Sequence, residues 1–189
     1  GERRLEEVIV QTGAGVRVVP SASGVARMAA LSSGEQAGII RAFGSLPEPL
    51  DVLVVDTAAG ISAAVLQFCE SAQQVLVVLR DEPASLTDTY AMIKVLSRQH
   101  GLRQFRVLAN MTHGAGQGDS VFRRLQRVTD RYLEVMLDFV GEIPEDAALR
   151  KAVQAQRSVL ELFPSSPAAQ AFRQRARTAV RWPLPAGPS

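Results

Sequence analysis

LDVLVVDTAAGIS, residues 50–62, decides how the rest of the chain is read. Residues 50–56 form a continuous apolar run that ends in an acid. A strand with one wet face alternates apolar and polar residues. An unbroken apolar run is the pattern of a strand covered on both faces, as in a parallel sheet packed between helices. An Asp at the tip of such a strand is the group that holds Mg²⁺, often through water, beside a phosphate chain. Gly60 has no Cβ, so a backbone N–H there can approach a terminal phosphate closely. Asp56 reads equally well as a turn former and Gly60 as a residue before a helix. The segment alone leaves both open.

Outward from this segment the same grammar repeats. Residues 16–19, VRVV, are a β-branched run ended by Pro20. Residues 75–80, 105–110 and 139–143 are further apolar runs, the last closed by Pro144. Helical spacing marks residues 34–44, 61–71, 86–98 and 120–137. Leu86, Tyr90, Ile93 and Leu96 fall on one side of the third helix. Ser85 with Asp88 makes a start resembling a capping box. Phe122, Leu125, Val128, Tyr132 and Met136 recur along the fourth. Strand and helix in alternation predict an α/β fold: right-handed crossovers and a parallel sheet covered by helices on both faces. Ligands of such sheets bind beyond the carboxyl ends of the strands. That directs attention to Asn110, whose amide can pair with both edges of adenine, and to Pro144, Glu145 and Asp146. Asn110 alone is also an ordinary turn residue, and the Pro144–Asp146 turn an ordinary acidic helix start.

Composition limits the alternatives. The chain has 189 residues, 47% apolar and 21% charged, near the values of soluble globular proteins. No run approaches 18 apolar residues, and GERRLEEV at the start carries no apolar segment of a secretory signal. The single cysteine, Cys69, excludes an internal disulfide, favours a reducing cytoplasmic setting, and reads as a core residue. His100 and His113 are the only histidines and fall in no metal-ligand spacing. Charge is uneven. Residues 147–189 hold seven Lys or Arg against Glu161, a net of +6, so the remainder carries −4 of the overall +2. Phe172, Ala176 and Val180 flank Arg173, Arg177 and Arg181, with Trp182 after them. A basic amphipathic helix over 165–182 is expected to touch a membrane surface weakly or to pack on the sheet or a partner. Residues 183–189 read as a Pro-rich tail.

The segments DTAAGIS (56–62), RDEPASLTDTYAMIKVLS (80–97), LANM (108–111) and GEIPEDAALRKAVQAQRSV (141–159), with VPSASGVARMAAL (19–31), resemble the MinD/ParA group of deviant-Walker ATPases. Within that group they are similar to the flagellar number regulators of the FleN/FlhG type. The resemblance runs from about Leu5 to about Trp182, which makes residues 1–182 one nucleotide-binding domain. It implies ATP/ADP and Mg²⁺ as cofactors, with Asp56 as the metal-linked acid and Gly60 as the switch glycine. It places Asn110 on adenine and the Pro144, Glu145 and Asp146 turn beside the base. It also implies an ATP-dependent homodimer that restrains a FleQ-type transcription activator and acts with an FlhF-type GTPase, in the cytoplasm or at the inner membrane or cell pole.

One departure is large. The family's loop GKGGxGK[ST] does not occur in these 189 residues; Gly13 and Gly15 stand in QTGAGVRV without a following Lys-Ser/Thr. The first βα units are therefore expected to be missing. Their absence predicts negligible ATP affinity and no turnover for this chain alone, and an uncovered flank prone to self-association. The rival is a nucleotide-free interaction module with the same fold. A Rossmann dehydrogenase is disfavoured because no GxGxxG follows a strand. Direct nucleic-acid binding is disfavoured because there is no helix-turn-helix signature and the net basic charge is confined to the tail.

Overall fold

The computed structural model describes residues 5–13, 15–20, 33–48, 50–114 and 116–183. Residues 21–31 of VPSASGVARMAAL and the end of the Pro-rich tail lie outside these. The chain divides into two compact units, Gly1–Ser71 and Ala72–Ser189.

In the first unit a 3-10 turn, Leu5–Glu7, leads into a hairpin of β1 (Val10–Gln11) and β2 (Arg17–Val18). The two strands pair antiparallel, Val10 with Val18 and Gln11 with Arg17. The run at 16–19 is thus half of a hairpin and not a strand of the parallel sheet. The reason is local. Thr12 N–H donates to the Val16 carbonyl, Gly15 N–H donates to the Thr12 carbonyl, and Gly15 takes φ +77°, which a glycine adopts at no steric cost. The glycines of QTGAGVRV therefore serve a turn. Helices α1 (Ser33–Gly44) and α2 (Ala63–Ser71) pack on each other. Cys69 lies in α2, and burial pushes its thiol up, away from the reactive thiolate.

The expected buried strand at residues 50–56 is not formed. The segment lies in no ladder, and Val52 and Val54 are 59% and 82% exposed. Apolar content tells what a segment prefers to bury, not which strand it will pair with. No described strand pairs with this one.

The second unit holds the core. Its sheet has the order β3 (Leu76–Leu79), β4 (Gln104–Thr112), β5 (Met136–Pro144), all parallel. Helix α3 (Pro83–His100) joins β3 to β4, and α4 (Gln117–Tyr132) joins β4 to β5. Phe105, Val107 and Ala109 alternate along β4 toward these helices. Ile93 and Leu96 of α3, which packs on β3, and Val121, Phe122 and Leu125 of α4, which packs on β4, are buried as well. Phe122 also stacks on Phe139 of β5, with ring centroids 5.0 Å apart. On the other face burial is partial. Leu76 and Val78 are exposed, and Trp182 lies over the Arg106 guanidinium at 5.3 Å.

Two helix boundaries differ from expectation. α3 starts at Pro83, whose fixed φ suits the first helical position, while the Ser85 Oγ accepts from the Arg80 N–H instead of capping. α4 ends at Tyr132, and Met136 already belongs to β5. Val128 and Tyr132, expected on the buried stripe, are exposed. The stripe is Val121, Phe122, Leu125 and Thr129. Thr129 is tolerated there because its hydroxyl donates to the carbonyls of Leu125 and Gln126.

After β5 come α5 (Ala147–Gln154), α6 (Val159–Leu162) and α7 (Pro167–Ala179), which enclose a small cluster of Ala152, Val159 and Ala169. Of the basic tail, Arg173 donates to the carbonyls of Pro164 and Leu160, and Arg175 to that of Val140. Of the two placements expected for this helix, α7 packs on β5 of the sheet, and Trp182 after it stacks on the Arg106 guanidinium. No helix among the described residues is long and apolar enough to cross a membrane.

Candidate functional site

At the carboxyl ends of β4 and β5 lies a cleft of about 460 Å³, contained within the second unit. Thr112, His113, Glu142, Pro144, Glu145 and Arg150 are among the residues that line it. Two irregularities interrupt the β5–β4 pairing. Val107 pairs with Phe139 and Leu108 with Gly141, so Val140 is an extra residue. Asn110 pairs with Ile143 and Thr112 with Pro144, so Met111 is another. Bulges of this kind re-aim side chains and end pairing. Met111 takes φ +57°, and the Asn110 Oδ1 accepts from its N–H at 3.0 Å.

Glu145 closes the cleft at its rim. Its N–H donates to the Thr112 carbonyl at 2.9 Å, which ties the ends of β4 and β5 together. Its carboxylate lies 2.8 Å from His113 Nδ1 through one oxygen and 3.0 Å from Arg150 Nη2 through the other. His113 is fixed from its backbone as well. Its N–H donates to the Gln117 Oε1, the Gln117 Nε2 donates to Asp81 at 2.8 Å, and Arg124 pairs with the same Asp81. The Gln117 amide and then the Arg124 guanidinium hold the Asp81 carboxyl below its usual range.

Both oxygens of Asp146 are engaged at helix starts. One oxygen accepts from the Ala148 N–H at 2.7 Å as the cap of α5, and the other accepts from the Ala168 N–H at 3.0 Å in the first turn of α7. These bonds, that from Ala168 first, hold its carboxyl below the usual range. A cap is worth about 1 kcal/mol and a second bond to a carboxylate about as much again, so Asp146→Ala is expected to cost about 2 kcal/mol in urea denaturation. The sign of the pH effect follows. The folded form binds the proton less readily than the unfolded chain, whose value is about 3.9. The stabilisation from Asp81 and Asp146 is therefore full above that pH and lost as pH falls through the depressed folded values. Asp146→Asn should flatten the acid limb of a stability-against-pH curve. An unchanged limb would show that the caps carry no linkage.

Of the residues singled out from sequence, Pro144 and Glu145 line the cleft. Asn110 sits in β4 two residues before its end, with its amide oxygen turned to Met111 N–H. Asp146 caps two helices. Asp56 and Gly60 belong to the first unit. There Asp56 is exposed and Gly60 takes φ +97° with open space where a side chain would begin. Thr112, His113, Glu142 and Arg150 were not anticipated. The apolar run stops at Asn110, whereas the bulge at Met111 carries the strand on to Thr112, so its end was read two residues early.

Among the described residues no group of three or more His, Cys, Asp or Glu is placed to hold a metal ion. That does not suit an all-protein cage. It is compatible with the mode in which one or two carboxylates share Mg²⁺ with water and phosphate oxygens.

No family model matches the chain. It is 52% identical over 188 residues to the antiactivator FleN of Pseudomonas aeruginosa, covering 100% of this chain and 67% of that protein. It is 27% identical over 175 residues to the flagellum site-determining protein YlxH of Helicobacter pylori, covering 92% of this chain and 59% of that protein. Among solved structures, the septum site-determining protein MinD of Pyrococcus horikoshii, complexed with Mg-ADP, superposes with a TM-score of 0.71 at 20% identity. The match spans 95% of this chain and 70% of that one.

Proposed function

The chain belongs to the FleN-like branch of the MinD/ParA-type ATPase family, and on that premise we propose that it forms the larger part of a nucleotide-controlled switch. In this reading residues 1–182 are one incomplete nucleotide-binding domain. The whole protein dimerises around ATP, restrains a FleQ-type transcription activator and, with an FlhF-type GTPase, sets flagellar number and placement in the cytoplasm or at the inner membrane or cell pole. The observation that carries the nucleotide part is the cleft beyond the carboxyl ends of β4 and β5, where sheets of this class bind ligands. The MinD relative of the same fold holds Mg-ADP.

Asn110, Pro144 and Glu145 would serve the base, Asp56 the Mg²⁺ ion and Gly60 the terminal phosphate. Asn110 retains its amide N–H groups for a base edge, and Asp146 supports the site by capping. Bound Mg²⁺ would supply charge neutralisation between phosphates, and Asp56 is the one acid proposed to hold it. The 189 residues contain no lysine-bearing phosphate loop. A phosphate cradle contributes many charge-assisted hydrogen bonds. This chain by itself is accordingly expected to bind ATP negligibly and not to turn it over.

The test uses the protein as its own cells make it, with its start fixed by intact mass. Light scattering should show the mass doubling with ATP and Mg²⁺ but not with ADP, and Asp56→Asn should abolish the doubling. A mass indifferent to ATP, in a protein that still represses its activator, would favour the nucleotide-free interaction module. ATP turnover above a buffer blank by the 189-residue chain would refute the dependence on a phosphate loop.

A further inference from the structure

The cleft has one aromatic ring among its described lining residues, and that ring is held with more care than a surface histidine needs. His113 is fixed through its backbone by Gln117, itself tied to Asp81, and through Nδ1 by Glu145 at 2.8 Å. Its side chain is nonetheless 68% exposed, so a ring face is open to a ligand. An exposed ion pair adds little to stability, because side-chain ordering and water offset the Coulomb gain. Two partners on one exposed residue, one on its backbone and one on its ring, are therefore better explained by what the ring is held for. The second oxygen of Glu145 holds the planar Arg150 guanidinium at 3.0 Å, so one carboxylate sets two flat groups at the same rim. Pro144 and Pro167 supply apolar lining. Flat side chains beside two prolines, in a cleft otherwise lined by polar groups, can receive an unsaturated ring that carries polar edges, since every base has a π-face that stacks on aromatic or guanidinium planes.

We propose that His113 stacks on the purine base of the bound nucleotide, and that Glu145 is a positioning residue that acts through His113 and Arg150. This rests on the nucleotide reading above and sharpens it. It assigns base contact to a side chain beyond the strand tip and takes Glu145 out of direct contact with the base.

Loss of its signal in the His113→Ala variant assigns the His113 ring-proton resonance by proton NMR. In the protein as its own cells make it, ADP and adenosine should each move the His113 ring-proton resonance upfield, and inorganic pyrophosphate should not. The His100 resonance should stay still throughout. His113→Ala should weaken ADP binding about tenfold. His113→Phe, which keeps a ring, should restore it to within about twofold. Glu145→Ala should weaken ADP binding and broaden the His113 resonance, as expected if it only holds the ring. Binding of ADP with an unmoved His113 resonance and an unaffected His113→Ala variant would overturn the stacking proposal and leave the nucleotide reading standing. Failure of the unsubstituted protein to bind ADP or adenosine would remove the nucleotide reading and the stacking proposal together.

Discussion

Gly118→Ala is expected to destabilise the protein by about 3 kcal/mol, although it replaces the poorer helix former with the best one. Gly118 lies in the first turn of α4 and is buried. A Cβ there would stand 2.3 Å from the Glu142 Oε2, 2.8 Å from the Glu142 Cβ and 3.1 Å from the Ala109 Cβ. The carboxylate can swing aside, but the Cβ atoms of β4 and β5 move only with the sheet. Swinging the carboxylate also breaks the bond it accepts from the Gly118 N–H at 2.8 Å, which serves one of the orphan donors at the start of α4. The helix-propensity gain is about 1 kcal/mol. Overpacking costs about 1–3 kcal/mol, and a lost bond to a charged acceptor about 1.5–3. The losses exceed the gain. A urea midpoint unchanged from the parent, at the same m-value, would show that α4 can slide away from β5 without penalty.

Gly141→Ala is expected to cost a similar amount, about 3 kcal/mol, by a different route. Gly141 follows the bulge residue Val140 with φ +115°, where an L side chain is strained by about 1–3 kcal/mol. Its added Cβ would fall 1.9 Å from the Arg175 Nη1 and 2.5 Å from the Arg175 Cζ. The guanidinium would have to leave the Val140 carbonyl, to which it donates. The two parts separate in a double-mutant cycle. In an Arg175→Ala background the collision is gone and only the backbone strain remains, so the cost of Gly141→Ala should fall by about 1–2 kcal/mol. Equal costs in both backgrounds would mean that the bulge geometry alone sets the requirement for glycine.

These two positions show where reading from sequence stops. Gly118 and Gly141 look unremarkable in the chain, one in a polar stretch and one inside an apolar run. Their importance comes from Glu142 and Arg175, at 24 and 34 residues' remove. Asp146 is similar. Its place after a strand suggested a ligand contact, while its partner at Ala168 turns it into a joint between two helices. His113 carried no local signal, because what singles it out is a carboxylate from the next strand's end.

The sequence by itself determined the α/β class, the parallel order of the three paired strands and their connecting helices, and the family. All of these follow from local periodicity or from motif strings that survive without coordinates. It also directed attention to the carboxyl ends of the strands, and a cleft opens at those of β4 and β5. Tertiary structure alone decided which apolar runs find a partner. Residues 50–56 have the composition of a buried strand and stay out of any ladder, whereas residues 16–19 pair across a glycine turn into a hairpin. Pairing is a non-local event whose free energy resides in the neighbour's N–H and C=O groups. The bulges in β5–β4 pairing follow the same rule. They exist only in the register between two strands, and through them the tertiary structure set which side chains line the cleft.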